Sequence, residues 1–133
     1  MNSATASAPG RVNLIGEHLD YNGGPVLPLA IDRSVTVKAR ARDDGAVNVW
    51  SDLPDASKAS FATTVQPGDV DGWATYVAGT IWSLAERGLT IPGADLVIES
   101  RLPSGAGLSS SAATTCGVAS ALDELFEIGR AHV

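Results

Sequence analysis

The 133-residue sequence holds one cysteine, Cys116, which excludes an internal disulfide and any cysteine-based metal cage. No apolar run approaches the roughly 20 residues that a membrane-spanning helix needs. Met1 to Ala8 is small and polar, without the basic and apolar regions of a signal peptide. Positive charge is scarce: nine Lys and Arg against fifteen Asp and Glu give a net charge of −6. That balance argues against general nucleic-acid binding and against docking on an anionic membrane. It leaves room for one bound nucleotide, because backbone N–H groups can hold phosphates locally. There is no fixed-period repeat and no low-complexity linker. The expected setting is soluble, reducing and cytoplasmic. What is present is a folding composition, 44% hydrophobic and 18% charged, over about one domain's length. A domain of this size buries about two-thirds of its unfolded surface, so a real core is expected.

Hydrophobic periodicity predicts interspersed strands and helices. Residues 1–8, rich in Ala and Ser, are expected to fray. Val12-Asn13-Leu14-Ile15 reads as a short strand, and Asn22-Gly23-Gly24 as a turn. Val26 to Ile31 is apolar again. In Ser34 to Ala41, Val35, Val37 and Ala39 face one way and Thr36, Lys38 and Arg40 the other, the alternation of a half-buried strand. Asp43-Asp44-Gly45 then predicts a turn, making this strand and Ala46 to Trp50 a β-hairpin. A short strand is expected within Ala59 to Val65. Trp73, Val77, Ile81, Leu84 and Ala85 form a helical stripe, with Asp71 as N-cap and Gly88 as stop. Ala94 to Ser100 reads as a strand and Ala112 to Phe126 as a helix, its apolar face made by Ala113, Gly117, Ala121, Leu122 and Leu125. The mixture favours α+β or α/β. Trp50 and Trp82 read as packing residues, and Cys116 as a small buried hydrophobe.

Two loops carry candidate chemistry. In Pro103 to Ala113, between a strand and a long helix, Gly105 and Gly107 permit positive φ and close backbone approach. Successive N–H groups at a helix N-terminus can then surround an anion. Ser109, Ser110 and Ser111 add hydroxyls for phosphate oxygens or magnesium. No Gly-Lys-[Ser/Thr] follows, so this is not a Walker A loop. The local residues alone allow two readings, a phosphate cradle or a Gly/Ser connection in which Ser109 or Ser110 caps the helix. The second loop gathers Arg11, Glu17, His18, Asp20, Tyr21 and Asn22. Carboxylates accept from hydroxyls and suit a polyol, and His18 with Glu17 suits acid/base work or a metal. A solvated turn satisfies the same composition.

The two loops together resemble a known family. Ala8-Pro9-Gly10-Arg11-Val12-Asn13-Leu14-Ile15-Gly16-Glu17-His18-Leu19-Asp20-Tyr21-Asn22 is similar to the signature of galactokinases, and Pro103 to Ala113 resembles the ATP loop of the GHMP small-molecule kinases that include them. The resemblance covers residues 8 to about 127. It implies an α+β fold, the N-terminal half of the GHMP kinase fold (ribosomal protein S5 domain 2-like). It implies transfer of the γ-phosphoryl group of ATP, with Mg2+, to the anomeric hydroxyl of α-D-galactose. Glu17, His18, Leu19 and Asp20 would face the sugar, and Arg11 would stabilise the transferring group. Gly105, Ala106, Gly107, Leu108, Ser109, Ser110 and Ser111 would wrap the ATP phosphates, Ser111 would help hold magnesium, and Trp73 would lie against the adenine. Trp73 equally begins the amphipathic stripe, which is a packing role. Leu19 departs from the family pattern, which usually has Thr there.

The family also needs an Asp at the reacting hydroxyl and a Glu on magnesium. Both belong to a later stretch of its pattern, and no Asp here matches that motif. Ile128-Gly129-Arg130-Ala131-His132-Val133 breaks the helical pattern and reads as a translation of ATCGGAAGAGCACACGTC, a run resembling a common sequencing adaptor. Residues 1–127 are therefore expected to be an incomplete GHMP N-terminal domain, with a non-native tail at 128–133; a natural short helix tail is the alternative. Two rival functions share the loops: a related kinase of N-acetylgalactosamine or arabinose, and a non-catalytic galactose- and ATP-binding sensor.

Overall fold

The computed structural model describes residues 3–15, 23–24, 27–52, 57–102 and 110–128. In chain order these form β1 (Ser3–Ile15), β2 (Leu27–Ala41), β3 (Ala46–Ser51), β4 (Lys58–Ala62), a 3₁₀ turn (Gly72–Ala74), α1 (Thr75–Glu86), β5 (Ala94–Ser100) and α2 (Ser110–Phe126). The strands make one mixed sheet in the order β1-β2-β5-β3-β4, in which only β3 and β5 run parallel among the described pairs. α2 lies against β1 and β2 and touches α1. Val35 and Val37 of β2, Leu96 and Ile98 of β5, Val47 and Val49 of β3, Val77 of α1 and Val118 and Leu122 of α2 are buried in one cluster. The architecture is α+β, as expected.

The expected alternation of β2 is present: Val35, Val37 and Ala39 are buried, while Lys38 and Arg40 are exposed. β5 occupies Ala94–Ser100, and Ala113, Ala121, Leu122 and Leu125 form the buried face of α2. α1 ends in a Schellman arrangement, with Gly88 N–H donating to Ala85 O at 2.9 Å and Leu89 N–H to Leu84 O at 2.9 Å. Gly88 has φ +79°, so it is the stop that the sequence predicts.

Five expectations need correction. Residues 3–8 do not fray; they open β1, paired from Ser3↔Arg40 to Ala8↔Val35. The reason is a period of two in small residues: Ala4 and Ala8 are buried while Ser3, Thr5 and Ser7 are exposed. Secondly, β2 and β3 are not a hairpin, because β5 stands between them. The turn spends its backbone groups on the segment entering β5: Arg42 N–H donates to Gly93 O at 3.0 Å, and Gly45 N–H to Pro92 O at 2.8 Å. Gly93 has φ +147°, and a Cβ there would stand 2.8 Å from Ala46 O, so this approach requires glycine. Thirdly, Asp71 does not cap α1 with its side chain; a 3₁₀ turn intervenes, and Ala74 is the N-cap residue of α1. Fourthly, Trp50 is exposed on the outer face of the sheet, with Lys58 Nζ 5.1 Å from its ring centre. Finally, Cys116 is exposed on α2. The expected strand within 59–65 is Lys58–Ala62, and Trp82 packs partly buried against the core.

Candidate functional site

Of the residues singled out from the sequence, Arg11, Trp73 and Ser111 lie within the described set, and Ser110 is the first residue of α2. Glu17, His18, Leu19 and Asp20, with Gly105, Ala106, Gly107, Leu108 and Ser109, lie outside the described residues.

Trp73 and Ser111 meet at one cavity of about 50 Å³, which Tyr76, Ser51, Ser100 and Thr114 also line, with Ile98. Its position follows from the sheet. β3 and β5 run parallel, so their last residues, Ser51 and Ser100, reach the same end of the sheet. There they meet the first turn of α2, which contains no acidic residue, and the start of α1. The strand ends are pinned by Asp52, whose N–H donates to Ile98 O at 3.2 Å and whose Oδ1 accepts from Ser100 N–H at 3.0 Å. The Trp73 indole N–H donates to Ser57 Oγ at 2.7 Å. Ser57 O in turn accepts from Ser51 N–H at 3.0 Å, so one residue holds two parts of the wall.

The cavity is chemically mixed. An indole and a phenol supply aromatic surface, and Ser51, Ser100, Ser111 and Thr114 supply hydroxyls. Ser51 and Thr114 are buried, and neither is without a partner. Ser111 is exposed in the first turn of α2. Helix N-terminal N–H groups carry partial positive charge, which favours an anion at this end. Aromatic surface thus stands on one side, and hydroxyls with a helix N-terminus on the other, of a space smaller than a nucleotide.

Arg11 does not line this cavity. It is half-buried on β1, at a step in the pairing with β2: the register shifts between Pro9 and Arg11, and Arg11 stands opposite Ala30.

A charge cluster lies at the other end of β5. Arg42 bonds Asp44 through Nε at 3.0 Å and Asp95 through Nη1 at 3.2 Å, and Asn48 Nδ2 donates to Asp95 at 2.9 Å. The hydrogen bond from Arg42 holds the Asp44 carboxyl down at about 2, helped by the Ala46 N–H; Arg42 is pushed above its ordinary value by Asp44, then by Asp95. These groups lock the β2–β3 turn to β5 at a partly buried position, which is a structural role. Among the described residues, no group of three or more His, Cys, Asp or Glu could hold a metal. Nor is any helix there long and apolar enough to cross a membrane.

Sequence reasoning missed Tyr76, Ser51, Ser57, Ser100 and Thr114. Tyr76 follows Trp73 by three positions, a spacing that places two residues on one helical face, so it was findable. The strand-end serines carry no local signal, because only the β3–β5 pairing gathers them.

The chain resembles known proteins at both ends. The family model for the galactokinase galactose-binding signature matches residues 2–41, and that for the GHMP kinases N-terminal domain matches residues 75–132. A galactokinase of Streptomyces coelicolor is 43% identical over 124 residues, 92% of this chain and 32% of the relative. A galactokinase of Mycobacterium tuberculosis is 49% identical over 106 residues, 80% of this chain and 29% of the relative. The chain thus spans about a third of the length of the curated relatives it matches. Among solved structures, Lactococcus lactis galactokinase complexed with galactose superposes with a TM-score of 0.81 at 38% identity, over 94% of this chain and 33% of that one. The mevalonate kinase of Methanococcus jannaschii shares the fold, with a TM-score of 0.75 at 22% identity over 93% of this chain and 40% of that one.

Proposed function

The chain belongs to the galactokinase family of GHMP kinases, and on that premise we propose that it forms the sugar- and nucleotide-facing N-terminal part of a kinase that phosphorylates α-D-galactose at its anomeric hydroxyl. The observation that carries the nucleotide half is the meeting of Trp73 and Ser111 at one cavity, where two parallel strand ends reach a helix N-terminus. The sugar half is supported by the match over residues 2–41 and by the galactose complex of the Lactococcus lactis relative.

In this reading Trp73 lies against the adenine. Gly105 to Ser111 present backbone N–H groups to the ATP phosphates, and the α2 N-terminus adds its positive end. Glu17, His18 and Asp20 accept hydrogen bonds from sugar hydroxyls and fix the ring, with Leu19 between them. Arg11 stands beside the reacting hydroxyl and stabilises negative charge on the transferring phosphoryl group. Magnesium fits as an oxygen-ligated ion: the exposed Ser111 hydroxyl is one donor, and phosphate oxygens supply others. When bound, the ion neutralises phosphate charge. The proton acceptor is not assigned to any residue of this chain. With ATP as donor, the setting implied is the cytoplasm. We assign residues 1–127 to this domain and propose a non-native tail at 128–133, although the family match runs to residue 132 and Ile128 packs against the core; reading the source DNA across codons 122–133 tests this. A match to adaptor supports the tail; genomic sequence there contradicts it.

The full-length protein tests the activity. ADP formation is followed with MgATP and galactose, N-acetylgalactosamine or arabinose as acceptor. ADP formation on galactose above the other sugars is expected. Turnover on another sugar alone would make it a different sugar kinase, and calorimetric binding of galactose without ADP formation would make it a sensor.

A further inference from the structure

Beyond the residues that face the ligands, we infer that Ser57 is a positioning residue for the nucleotide: it holds the Trp73 indole at the cavity wall and so sets ATP affinity without touching ATP. This rests on the nucleotide reading of the cavity given above.

The geometry supplies the reason. An indole N–H can only donate, and a partly buried one needs an acceptor. Trp73 sits in a three-residue 3₁₀ turn whose preceding residue, Asp71, makes no side-chain cap bond. The ring packs partly buried against the core, which leaves its rotation in the plane to a polar contact. That contact comes from another element: the Ser57 hydroxyl, next to the start of β4, accepts the indole N–H at 2.7 Å. Ser57 also accepts the Ser51 N–H at 3.0 Å through its carbonyl, and Ser51 lines the same cavity. Ser57 itself is not among the lining residues. It therefore ties the aromatic wall to the end of β3 from behind. Without the hydroxyl, the indole keeps its packing but loses its in-plane anchor, and part of the ordering of the ring falls to the incoming base. That cost weakens ATP binding and leaves the sugar side alone.

The test is steady-state kinetics of the full-length protein with ATP and galactose varied in turn. Ser57→Ala should raise the KM for ATP by about 3–10-fold, the effect of one ordinary hydrogen bond, with kcat and the galactose KM within about two-fold of the parent. Ser57→Thr keeps the hydroxyl and should restore the ATP KM. Trp73→Phe keeps an aromatic wall but has no N–H, so adding Ser57→Ala to it should change nothing further. Trp73→Leu removes the aromatic wall and tests the underlying reading. If it leaves the ATP KM unchanged, the nucleotide reading fails, and the role of Ser57 with it. If Trp73→Leu raises that KM while Ser57→Ala does not, the reading stands and the inference is overturned. The inference is equally overturned if Ser57→Ala keeps its effect in the Trp73→Phe background, or if it shifts both KM values and kcat together.

Discussion

Single residues carry two of the strongest constraints. Gly93 combines φ +147° with a backbone oxygen 2.8 Å from where a Cβ would be. Gly93→Ala should therefore destabilise the full-length protein by about 2–4 kcal/mol, read from denaturant midpoints, because strain and a clash add. Asp44 predicts a pH dependence with a definite sign. Its carboxyl is lowered from 3.8 to about 2, chiefly by the hydrogen bond from Arg42. A lowered pKa means stability that is fully present above the unfolded value and lost as pH falls through the folded one. Asp44→Asn should thus cost stability at neutral pH, and its midpoint should converge on the parent's between pH 4 and 2 (about the range spanned by the two values). A gap that persists unchanged at pH 2 would contradict this origin. If Gly105 to Ser111 wrap the ATP phosphates as proposed, Gly107→Val in the full-length protein should abolish measurable ATP binding in calorimetry, since a branched side chain blocks close approach of backbone to phosphate.

At the scale of elements, the boundary between what was legible and what was not follows the range of the interactions. β5 and α2 could be read from local periodicity because each buries a face of its own making, Leu96 and Ile98 in one, Leu122 and Leu125 in the other. The α1 stop could be read because Gly88 satisfies a local chain reversal. Gly88→Ala is expected to cost about 1 kcal/mol in thermal unfolding, the strain of a positive φ without any clash, since no atom lies within 4 Å of the added Cβ. The separation of β2 from β3 was not legible, because Asp43-Asp44-Gly45 has the composition of a hairpin turn. Its outcome is decided by Gly93 and Asp95, some fifty residues away in sequence. β1 was misread for a related reason. Runs of Ala and Ser look frayed until a helix covers them, and Gly117 of α2, whose added Cβ would lie 3.9 Å from Ala8 Cβ, provides that cover. The same contrast divides the site. Its loops stand out as motifs in the sequence, whereas the meeting of Trp73, Ser57, Ser51 and Ser111 exists only through the pairing of β3 with β5.

For the molecule as a whole, the apolar surface left open is informative. A groove of about 600 Å³ runs between α1 and α2, with Tyr76, Leu84, Leu89, Cys116 and Ala119 among its walls. Leu29 and Trp50 are further exposed large hydrophobics. Open apolar surface of this kind favours association and dye binding. The isolated 133-residue chain should accordingly bind the dye ANS and melt broadly, and a sharp cooperative melt without dye binding would show that the exposed surface is tolerated. The most direct test of the central claim is 31P NMR of the full-length protein incubated with MgATP and galactose. Loss of the ATP γ-phosphate signal with matching growth of ADP and α-galactose 1-phosphate is expected. ATP that stays intact while galactose and nucleotide are both bound would contradict it.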